Sequence, residues 1–521
     1  MTVLQKRIVL VFFSVVCAST GWSQQTNYTL SRDFLWGIEN YYNDKTETFQ
    51  TFSKPYLHSD IKRIKDSSVF FSQPEKGQKI EGKTPGKFNV KLYPLLNAGV
   101  AFQLNPIGIA MDLAIGGDLR MSIGNKFSFN LKAMGGKSAY PDFMDSIIRN
   151  TRVIPGINYA YGPNKNLYTY QYHSGYLSYS PNSIFNIQVG QDKHFFGDGY
   201  RSLFLSDVAA PYPFLKITTR IWHLTYINLY TIMKDVTHPS GLKKDWLNKY
   251  GTFHYLGWNV TKRIQVGLFE SIIWQGSDSS RYRGYDVNYL NPVLFFRPAE
   301  YSLGSSDNAF AGFSFKIKLF KKQQIYAQLL LDEFLLKEIK DQKGWWANKY
   351  AYQVGFKSFD VFKAKYLNFQ TEINYARPYT YSHGSVQQNY GHMNQPLAHP
   401  LGANFIESAT LLNYRYKRFF VEIKGVYAIY GADSMGMDFG RNIFISYNKR
   451  LKDYGNTTTQ GIKTNLLNTS LRIAYIVNEK MNLKVEAGFA QRIEQQANRT
   501  LQTPLLFIGI RTDLSNMYTD F

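Results

Sequence analysis

The alternation of side chains between Ile107 and Ala133 constrains the fold more than any other feature of the sequence. Every odd position from 107 to 115 is large and apolar, and the residues between them are small or acidic. The chain turns at residues 124–126, Gly-Asn-Lys, and the alternation returns between Phe127 and Leu131. A period of two is typical of a strand with one apolar and one polar face, and a turn that contains Gly and Asn predicts a hairpin.

The same alternation recurs along most of the chain after residue 86. It predicts strands at 87–104, 107–123, 127–134, 167–179, 184–190, 215–230, 253–261, 264–274, 312–319, 325–332, 350–358, 366–376, 406–416, 419–430, 441–448, 464–477, 482–490 and 504–513. No helical periodicity separates these strands, which argues against a parallel α/β fold.

The connections between the predicted strands fall into two length classes. Short turns are expected near 124–126, 180–183, 261–263, 321–324, 417–418 and 478–481. Long connections are expected at 135–166, 191–214, 231–252, 275–311, 333–349, 377–405, 449–463 and 491–503. Short turns at one end and long loops at the other are typical of outer-membrane barrels, in which the short turns are periplasmic.

A parity argument tests the predicted number of strands. Each short turn joins a descending strand to an ascending one, so the number of strands between two short turns must be even. The prediction places three strands between 180–183 and 261–263, and three between 417–418 and 478–481. Each interval therefore contains one missed or one extra strand, and the total is an even number of roughly 16 to 20.

The amino end carries the features of a secretory signal peptide at residues 1–23. Lys6-Arg7 precede an apolar run at 8–16, and small residues follow up to Ser23. Residues 31–44 then carry apolar side chains at spacings of three and four, which predicts a helix with Ser31 as its N-cap. Residues 45–86 are polar and irregular. We expect 24–86 to form a periplasmic amino-terminal segment and 87–521 to form the barrel.

The composition of the chain fits an outer-membrane barrel. Aromatic residues make up 16% of the chain, which fits the aromatic girdles at the two ends of a barrel. The net charge of +22 suits anionic partners such as lipopolysaccharide or acidic polysaccharide. Nucleic acid is another partner of basic proteins, but export and the lack of a basic cluster argue against it. We expect an all-β, transmembrane antiparallel outer-membrane β-barrel of about 18 strands, with a short partly helical amino-terminal segment.

The polar register of the strands predicts the charges that face the lumen. The basic members are Arg120, Lys132, Arg220, Lys316, Lys318, Lys424, Arg472, Lys484 and Arg511, and the acidic members are Asp112, Asp118, Glu372, Glu422 and Glu486. Two interpretations remain open. The charges either form mutual salt bridges that fill the barrel, or they line an anion path or a site for a polyanion.

Two loop stretches carry a more specific signal. Residues 190–203 read GQDKHFFGDGYRSL and are followed by Ser206-Asp207 and by APYP at 210–213. This stretch resembles the central motif of the Wzi capsule-assembly family. Residues 389–404, NYGHMNQPLAHPLGAN, are similar to the related RemB-type gliding-motility proteins, and Asn291-Pro292 and Asp307-Asn308-Ala309 fit the same family.

The resemblance implies a fold and a function. It implies an outer-membrane barrel of about eighteen strands whose loops close the outer end. Wzi proteins act as lectins that hold exported capsule polysaccharide at the cell surface, and RemB-type proteins are linked to gliding and to surface polysaccharide. Neither is an enzyme. We therefore expect a non-enzymatic protein that binds or organises surface polysaccharide, with gliding motility as a further expected context and an unidentified envelope machinery as a further partner.

The loop residues suit sugar chemistry, because aromatic rings stack on pyranose faces and polar side chains bond hydroxyls or acid groups. The candidate polysaccharide-binding residues are Asp192, His194, Asp198, Arg201, Arg297, Trp345, Trp346, Arg377 and Asn394. The alternative interpretation of each is a packing residue that keeps the pore shut.

Other functions remain as alternatives. The barrel and its basic lumen also fit a porin-like diffusion channel for anionic solutes. A hydrolase would need an activated Ser beside a His, and no motif marks one. His383, His392 and His399 lie within 17 residues, but their spacing is poor for metal ligands. We expect no catalytic residue, no metal and no cofactor.

Overall fold

The computed structural model describes residues 25–44, 48–58, 60–61, 88–164, 166–237, 243–277, 283–295, 307–333, 335–434, 436–479, 481–512 and 515–521. The predicted signal peptide at 1–23 and the candidate Arg297 lie outside the described residues. In the described part of the chain, no helix has the length and apolar character needed to cross a membrane.

Within the described residues, eighteen antiparallel strands close into one barrel. Strands β1–β9 are Phe88–Leu104, Ile107–Ile123, Phe127–Ala139, Leu167–Tyr179, Phe185–Asp192, Tyr212–Ile221, Leu224–Asp235, Leu247–Asn259 and Ile264–Gln275. Strands β10–β18 are Asn308–Phe320, Gln323–Leu331, Tyr350–Ser358, Leu367–Ala376, Phe405–Tyr416, Phe419–Ala432, Ile462–Asn478, Leu483–Gln496 and Arg499–Thr512. Pairing of residues 97–103 of β1 with 505–511 of β18 closes the barrel.

Helices and short strands occupy the connections and the amino-terminal segment. In the described part of the chain the α-helices are α1, Arg32–Asp44, α2, Asp142–Thr151, and α3, Leu336–Lys340. The 3₁₀ helices are Lys243–Asp245, Val287–Leu290, Val361–Lys363, Val386–Gln388 and Tyr447–Lys449. The short strands outside the eighteen are Ser53–Lys54, Val153–Ile154, Asn158–Tyr159, Tyr161–Asn164, Phe195–Phe196, Gly391–His392 and Gln395–Pro396.

The period-two alternation decides which side chains face out of the barrel. On β2 the odd positions from 107 to 115 are exposed on the outer surface, and Ile107 is 93% exposed. Ala110 and Ala114, which alternate with them, are buried against the lumen. Leu92 on β1 and Ile508 on β18 continue the exposed apolar surface. A closed barrel with an apolar outer surface satisfies its backbone polar groups internally and can therefore lie in lipid.

The barrel has a turn end and a loop end. The connections at the turn end are 124–126, 180–184, 222–223, 260–263, 321–322, 359–366, 417–418 and 479–482. The connections at the loop end are 140–166, 193–211, 236–246, 276–307, 332–349, 377–404 and 433–461, together with two tight turns at 105–106 and 497–498. Exposed aromatic residues at the turn end form an interfacial girdle: Trp222, Trp258, Phe320, Tyr416 and Phe419. In outer-membrane barrels the end with short turns is periplasmic.

The predicted barrel of about eighteen strands is confirmed. In the two intervals for which three strands were predicted, the structure has an even number of strands, as the parity argument requires. The predicted strand 215–230 is wrong, because β6 and β7 are separate strands joined by a turn at Trp222-His223. Trp222 adopts a left-handed φ of 55°, a conformation that its residue type does not signal. In the second interval, the predicted strand 441–448 is wrong, because these residues lie in the connection 433–461. Their alternation serves loop packing, since Ile443 is buried in the central hydrophobic cluster.

The predicted long connection at 491–503 is also wrong. β17 continues to Gln496, β18 begins at Arg499, and a two-residue turn joins them. The outer parts of both strands are polar, with Glu494, Gln495 and Gln496 in sequence, so the apolar alternation that marks a strand stops before the strand does. The pairing of β17 with β18 therefore continues beyond the apolar part of the outer surface of the barrel.

The amino-terminal segment lies inside the turn end of the barrel. The sequence predicted a periplasmic segment there, and its helix is confirmed as α1, but the helix buries Trp36 and Ile38 in the lumen. Asn43 donates through Nδ2 to the carbonyl oxygen of Lys321 in the turn between β10 and β11, at 2.9 Å. The apolar face of α1 packs mainly on its own segment, where Ile38 belongs to a cluster with Phe49 and Tyr56. Phe34 packs on Leu95 of the inner wall.

The connection 193–211 enters the lumen from the loop end and meets this segment. Phe195–Phe196 pairs as a short strand with Ser53–Lys54. Ser206 donates through Oγ to the carbonyl oxygen of Ala398 at 2.5 Å, which joins this connection to the connection 377–404. The carboxyl-terminal tail at 515–521 also turns into the lumen, where Tyr518 is buried.

These four pieces, the described residues of 25–61 with 193–211, 377–404 and 515–521, form a unit that we call the plug. One hydrophobic cluster joins the plug to the inner wall. Its plug members include Phe52, Phe196, Leu203, Phe204, Leu205, Tyr381, Tyr390, Leu397 and Leu401, and its wall members include Leu229, Phe253, Tyr255, Phe269, Ile273 and Leu330. The centre of the barrel is therefore a packed core.

Candidate functional site

Carboxylates of the plug pair with lysines of the inner wall. Glu39 of α1 accepts from Lys357 of β12 at 2.6 Å, and Asp33 pairs with Lys484 of β17. Asp520 of the tail lies 2.8 Å from Nζ of Lys424 on β15. The interpretation of the lumen charges as salt bridges that fill the barrel is therefore the one the structure favours, although several of the acidic partners come from the plug and were absent from the predicted lumen set.

The candidate Asp198 lies in a buried cluster of such charges, which we call the Asp198 cluster. Asp198 accepts a hydrogen bond from Thr51 and lies 3.7 Å from Nζ of Lys316. Lys54 joins the cluster by donating to the carbonyl oxygen of Gly197 at 2.7 Å. Burial raises the pKa of the Asp198 carboxyl, but Lys316 and Lys54 outweigh burial and bring the pKa below its usual value. Asp198 is therefore charged and fully engaged by the protein.

Glu39 belongs to the same cluster. Its carboxylate lies 3.3 Å from Nζ of Lys54 and accepts from Lys357. Burial raises the pKa of Glu39, but Lys357 and Lys54 together lower it below the ordinary glutamate value. The cluster joins α1, the inward connection and the wall, so ionised carboxylates hold three elements together.

The candidate Arg201 forms a second buried cluster, the Arg201 cluster. Its Nη2 lies 3.0 Å from Glu407 of β14 and 3.1 Å from Asp520 of the tail. The backbone nitrogens of Tyr200 and Arg201 donate to the carboxylate of Glu372 on β13 at 2.7 and 2.9 Å. Burial raises the pKa of Asp520, but Arg201 and Lys424 hold it well below its usual range. Arg201 thus binds the tail to the wall.

The remaining candidates of the inward connection have similar surroundings. His194 is buried, with its ring 4.5 Å from that of Phe214 and 5.9 Å from that of Tyr212. Burial holds the pKa of His194 well below its ordinary value, so the imidazole is neutral. Asp192 ends β5 and accepts from the backbone nitrogen of Lys193 at 2.9 Å. The structure places both residues inside the barrel, away from its outer surface.

The three clustered histidines do not converge on one point. His399 pairs through Nε2 with Glu407 at 2.8 Å. His392 accepts from the backbone nitrogen of Lys234 at 3.0 Å, and His383 packs against the ring of Tyr447. Among the described residues, no group of three side chains is arranged to hold a metal ion.

The loop end brings three of the predicted residues together. Trp345 and Trp346 are half-buried neighbours with ring centroids 6.4 Å apart. Arg377 follows β13 and donates through Nη2 to the carbonyl oxygens of Trp345 and Asn456, at 3.3 and 3.4 Å. Nε of Arg377 is buried and has no hydrogen-bond partner among the described residues.

Two residues that the sequence did not single out complete this group. The ring of Tyr447 lies 4.7 Å from that of Trp346, and the guanidinium of Arg450 lies 4.1 Å from the centre of the Trp346 ring. The prediction of a strand at 441–448 hides Tyr447, and Arg450 lies in the predicted connection 449–463 without being singled out there. The run Tyr-Asn-Lys-Arg at 447–450 nevertheless has the aromatic and basic character of the other candidates. We call Trp345, Trp346, Arg377, Tyr447 and Arg450 the outer ledge.

Asn394 lies apart from the outer ledge. It donates through Nδ2 to the carbonyl oxygen of Thr151 at the end of α2, at 3.0 Å. Of the nine predicted residues, the structure therefore groups Trp345, Trp346 and Arg377 at the loop end. It places Asp198 and Arg201 in two charge clusters of the plug, and it leaves Arg297 undescribed.

The fold and the site define a plugged β-barrel of the outer-membrane type. No protein-family model matches the chain, and no curated protein matches it. Among solved structures, the chain is similar to Wzi of Escherichia coli, described as an outer-membrane protein involved in group 1 capsule assembly and as a carbohydrate-binding β-barrel. The TM-score is 0.56 at 12% identity, and the match covers 94% of this chain and 100% of that one.

The chain also matches OccAB2 of Acinetobacter baumannii, with a TM-score of 0.43, 10% identity and coverage of 81% of this chain and 97% of that one. OprD of Pseudomonas aeruginosa matches with a TM-score of 0.42, 9% identity and coverage of 81% and 94%. At such low identity, the likeness to Wzi shows a shared fold, the closed barrel of outer-membrane proteins.

Acid should loosen the plug before it affects the barrel. The pKa values of Glu39, Asp198 and Asp520 are lowered in the folded protein, so their contribution to stability is complete above the unfolded value of about 4 and is lost as the pH falls through the folded values. We expect the near-ultraviolet circular dichroism of the packed plug aromatics to fade below about pH 4, while the far-ultraviolet strand signal persists. A near-ultraviolet signal unchanged down to pH 2 would contradict this.

Removing Arg201 should strongly destabilise the protein. Arg201→Met removes the cation that Glu407 and Asp520 share and leaves Lys424 beside Asp520 and His399 beside Glu407. Breaking a buried pair by removing one partner costs about 3–5 kcal/mol. The measurement is the free energy of urea unfolding in detergent micelles. Arg499→Met, which removes an exposed arginine, serves as the matched control and should change stability by less than about 0.5 kcal/mol. Equal effects of the two variants would show that the Arg201 cluster does not hold the plug.

Proposed function

We propose that the protein is a non-enzymatic outer-membrane barrel that binds surface polysaccharide at its loop end. The observation that carries the proposal is the outer ledge, an aromatic and cationic surface above a lumen that is filled by the plug. The fold likeness to Wzi, whose solved structure is described as a carbohydrate-binding barrel, motivates the class of ligand.

The filled lumen argues against the alternative of a porin-like channel. An open diffusion channel needs a continuous water-filled path, and here Phe196, Leu203 and Phe204 of the plug are fully buried against the wall. A cavity of about 200 Å³ remains along β1, β2 and β18, lined in part by Asn97, Asp112 and Arg511. Its lining comes from the wall and from the start of the connection 140–166, whereas the packed core occupies the centre of the barrel.

The chemistry of the outer ledge suits an acidic sugar. The half-buried rings of Trp345 and Tyr447 offer flat faces on which the apolar face of a pyranose can stack. Arg377 and Arg450 supply charge-assisted donors for a carboxylate or a hydroxyl. Exposed lysines surround the ledge on the same two connections: Lys337, Lys340, Lys343, Lys449 and Lys452.

The proposal leaves the plug residues in a supporting role. Asp192, His194, Asp198 and Arg201 lie within the barrel, so we assign them to closing the pore and place polysaccharide contact on Trp345, Trp346 and Arg377. Capsule-like polysaccharide or the sugar of lipopolysaccharide is the proposed ligand. A role in gliding motility, and a partner in an envelope machine, stay predictions from the loop motifs.

Binding measurements with ledge variants test the proposal. Purified barrel in detergent would be titrated with acidic polysaccharide from its own cell envelope, and Trp345→Ala with Arg450→Ala should weaken binding at least about tenfold, or about 1.4 kcal/mol. Trp222→Ala removes a tryptophan that is 78% exposed at the turn end and serves as the matched control. Failure of the wild type to bind, or equal binding by the ledge variant, would refute the proposed function.

A further inference from the structure

Polar side chains face outward on one part of the barrel wall. On β7, β8 and β9 the even-numbered positions face outward, as the exposed side chains of Ile232, Trp258 and Leu268 show. The polar residues at such positions are Asn228, Thr252, His254 and Glu270. The opposite register of the same strands, with Phe253 and Phe269, packs into the plug. Polar groups on a lipid-facing surface are costly, so this part of the wall needs an explanation.

These outward-facing residues are nevertheless buried. Trp274 is 0% exposed, and Thr252, His254 and Glu270 are exposed by 5% or less. Residues 283–295, in the connection between β9 and β10, cover them from the outside. We call this segment the strap. Tyr289 and Tyr285 of the strap pack against Trp274 and Tyr250 on the outer face of the wall.

The polar side chains of the wall bond the backbone of the strap. Tyr230 donates to the carbonyl oxygen of Leu290 at 3.0 Å, and Thr252 donates to that of Tyr289 at 3.2 Å. Glu270 accepts from the backbone nitrogen of Phe295 at 2.8 Å. Tyr226 donates to the carbonyl oxygen of Pro292.

These contacts solve a specific physical problem. Irregular backbone placed in hydrocarbon leaves polar groups that water cannot satisfy, so it is tolerated only where protein groups satisfy them. Three side chains on neighbouring strands supply donors and one supplies an acceptor for this single segment. The outward polar residues therefore suit a strap that lies in an apolar environment, whereas water could satisfy the same backbone groups without them.

The charged side chains of the strap turn away from the outer side. Arg283 lies 2.8 Å from both Asp286 and Asp307, and Tyr289 donates to Asp307 at 2.6 Å. The side chains exposed on the outer side of the strap are mostly apolar and are Val287, Asn288, Leu290, Pro292, Val293 and Phe295. Val287 is 71% exposed.

The strap also reaches below the loop end. Glu270 lies five residues before the end of β9 at Gln275, which is about 16 Å along a strand at 3.3 Å per residue. With a strand tilt of about 40°, the strap descends on the order of 12 Å along the barrel axis. There it adjoins the exposed apolar surface of the next strand, represented by Phe313 of β10.

We propose that the strap is embedded in the membrane and that acyl chains of the outer membrane pack against its outer side. The strap is then a lipid-binding surface formed by irregular chain on the outside of the barrel, and the outward polar cluster of β7–β9 exists to fix it there. The occupant is lipid because the exposed side chains are apolar and continue the apolar outer surface of the barrel. This proposal is independent of polysaccharide binding.

Spin-label accessibility in proteoliposomes tests the proposal. Val287→Cys and Leu290→Cys would be made singly and labelled with a nitroxide. The one native cysteine, Cys17, lies in the predicted signal peptide. Leu113→Cys, on the outer face of β2, is the lipid reference, and Leu336→Cys, exposed on α3, is the aqueous reference. We expect the strap labels to match the label at 113, with high accessibility to oxygen and low accessibility to a water-soluble nickel complex.

Two other outcomes would overturn the proposal. Nickel accessibility equal to that at 336 would place the strap in water, and low accessibility to both reagents would show that protein, such as a second copy of this chain, covers it.

Removing the anchors of the strap gives a second readout. Tyr226→Phe with Tyr230→Phe removes two donors to the strap backbone and should raise nickel accessibility at 287 several-fold. Tyr352→Phe, another outward-facing tyrosine that is exposed at the loop end, is the matched control and should leave the accessibility unchanged. An unchanged label in the double variant would mean that the outward polar residues do not fix the strap.

Discussion

The pairing of charges on the inner wall with opposite charges on the plug is the interaction on which the rest of the structure depends. Lysines that face a narrow lumen repel one another and lose hydration when the lumen is filled, so filling it requires carboxylates at matching positions. Glu39, Asp33 and Asp520 provide them from segments far apart in the chain. The same contacts that neutralise the wall also exclude water from the centre of the barrel.

This arrangement separates two roles along the barrel axis. The plug closes the lumen, and its buried charges serve cohesion, so residues such as Arg201 are not available to a ligand. The connections at the loop end are then free to present aromatic and cationic side chains outward, as Trp346 and Arg450 show. The proposed function assigns pore closure to the plug and polysaccharide binding to the outer ledge.

The sequence predicts the strands well where one face is apolar and the other polar, as in the β2–β3 hairpin, because lipid and lumen impose opposite demands on alternate residues. It fails where that contrast is missing. The outer ends of β17 and β18 are polar on both faces, and the turn at Trp222 has no turn-forming residue. The same periodicity cannot show that α1 enters the lumen, because its contacts with Lys357 and Lys484 join residues more than 300 positions apart.

Only part of the candidate site could be predicted, because the sequence shows residue types and does not show long-range packing. Residue type marks Trp345, Trp346 and Arg377 as candidates. Which candidates reach the surface depends on long-range packing, which buries Asp198 and leaves Trp345 partly exposed. The strap was not foreseen at all. Its polar anchors, such as Thr252 and Glu270, look like irregularities in a lipid-facing register until the segment that covers them is seen.

Conductance in planar lipid bilayers tests the central claim most directly, because it reports whether charge pairing keeps the lumen closed. The wild type should show no steady conductance at neutral pH. Glu39→Lys, which sets two cations against each other at Lys357, should open the pore. The exchange of the two charges, Glu39→Lys with Lys357→Glu, should restore closure. A wild type that conducts steadily, or an exchanged variant that stays as open as Glu39→Lys, would contradict the account.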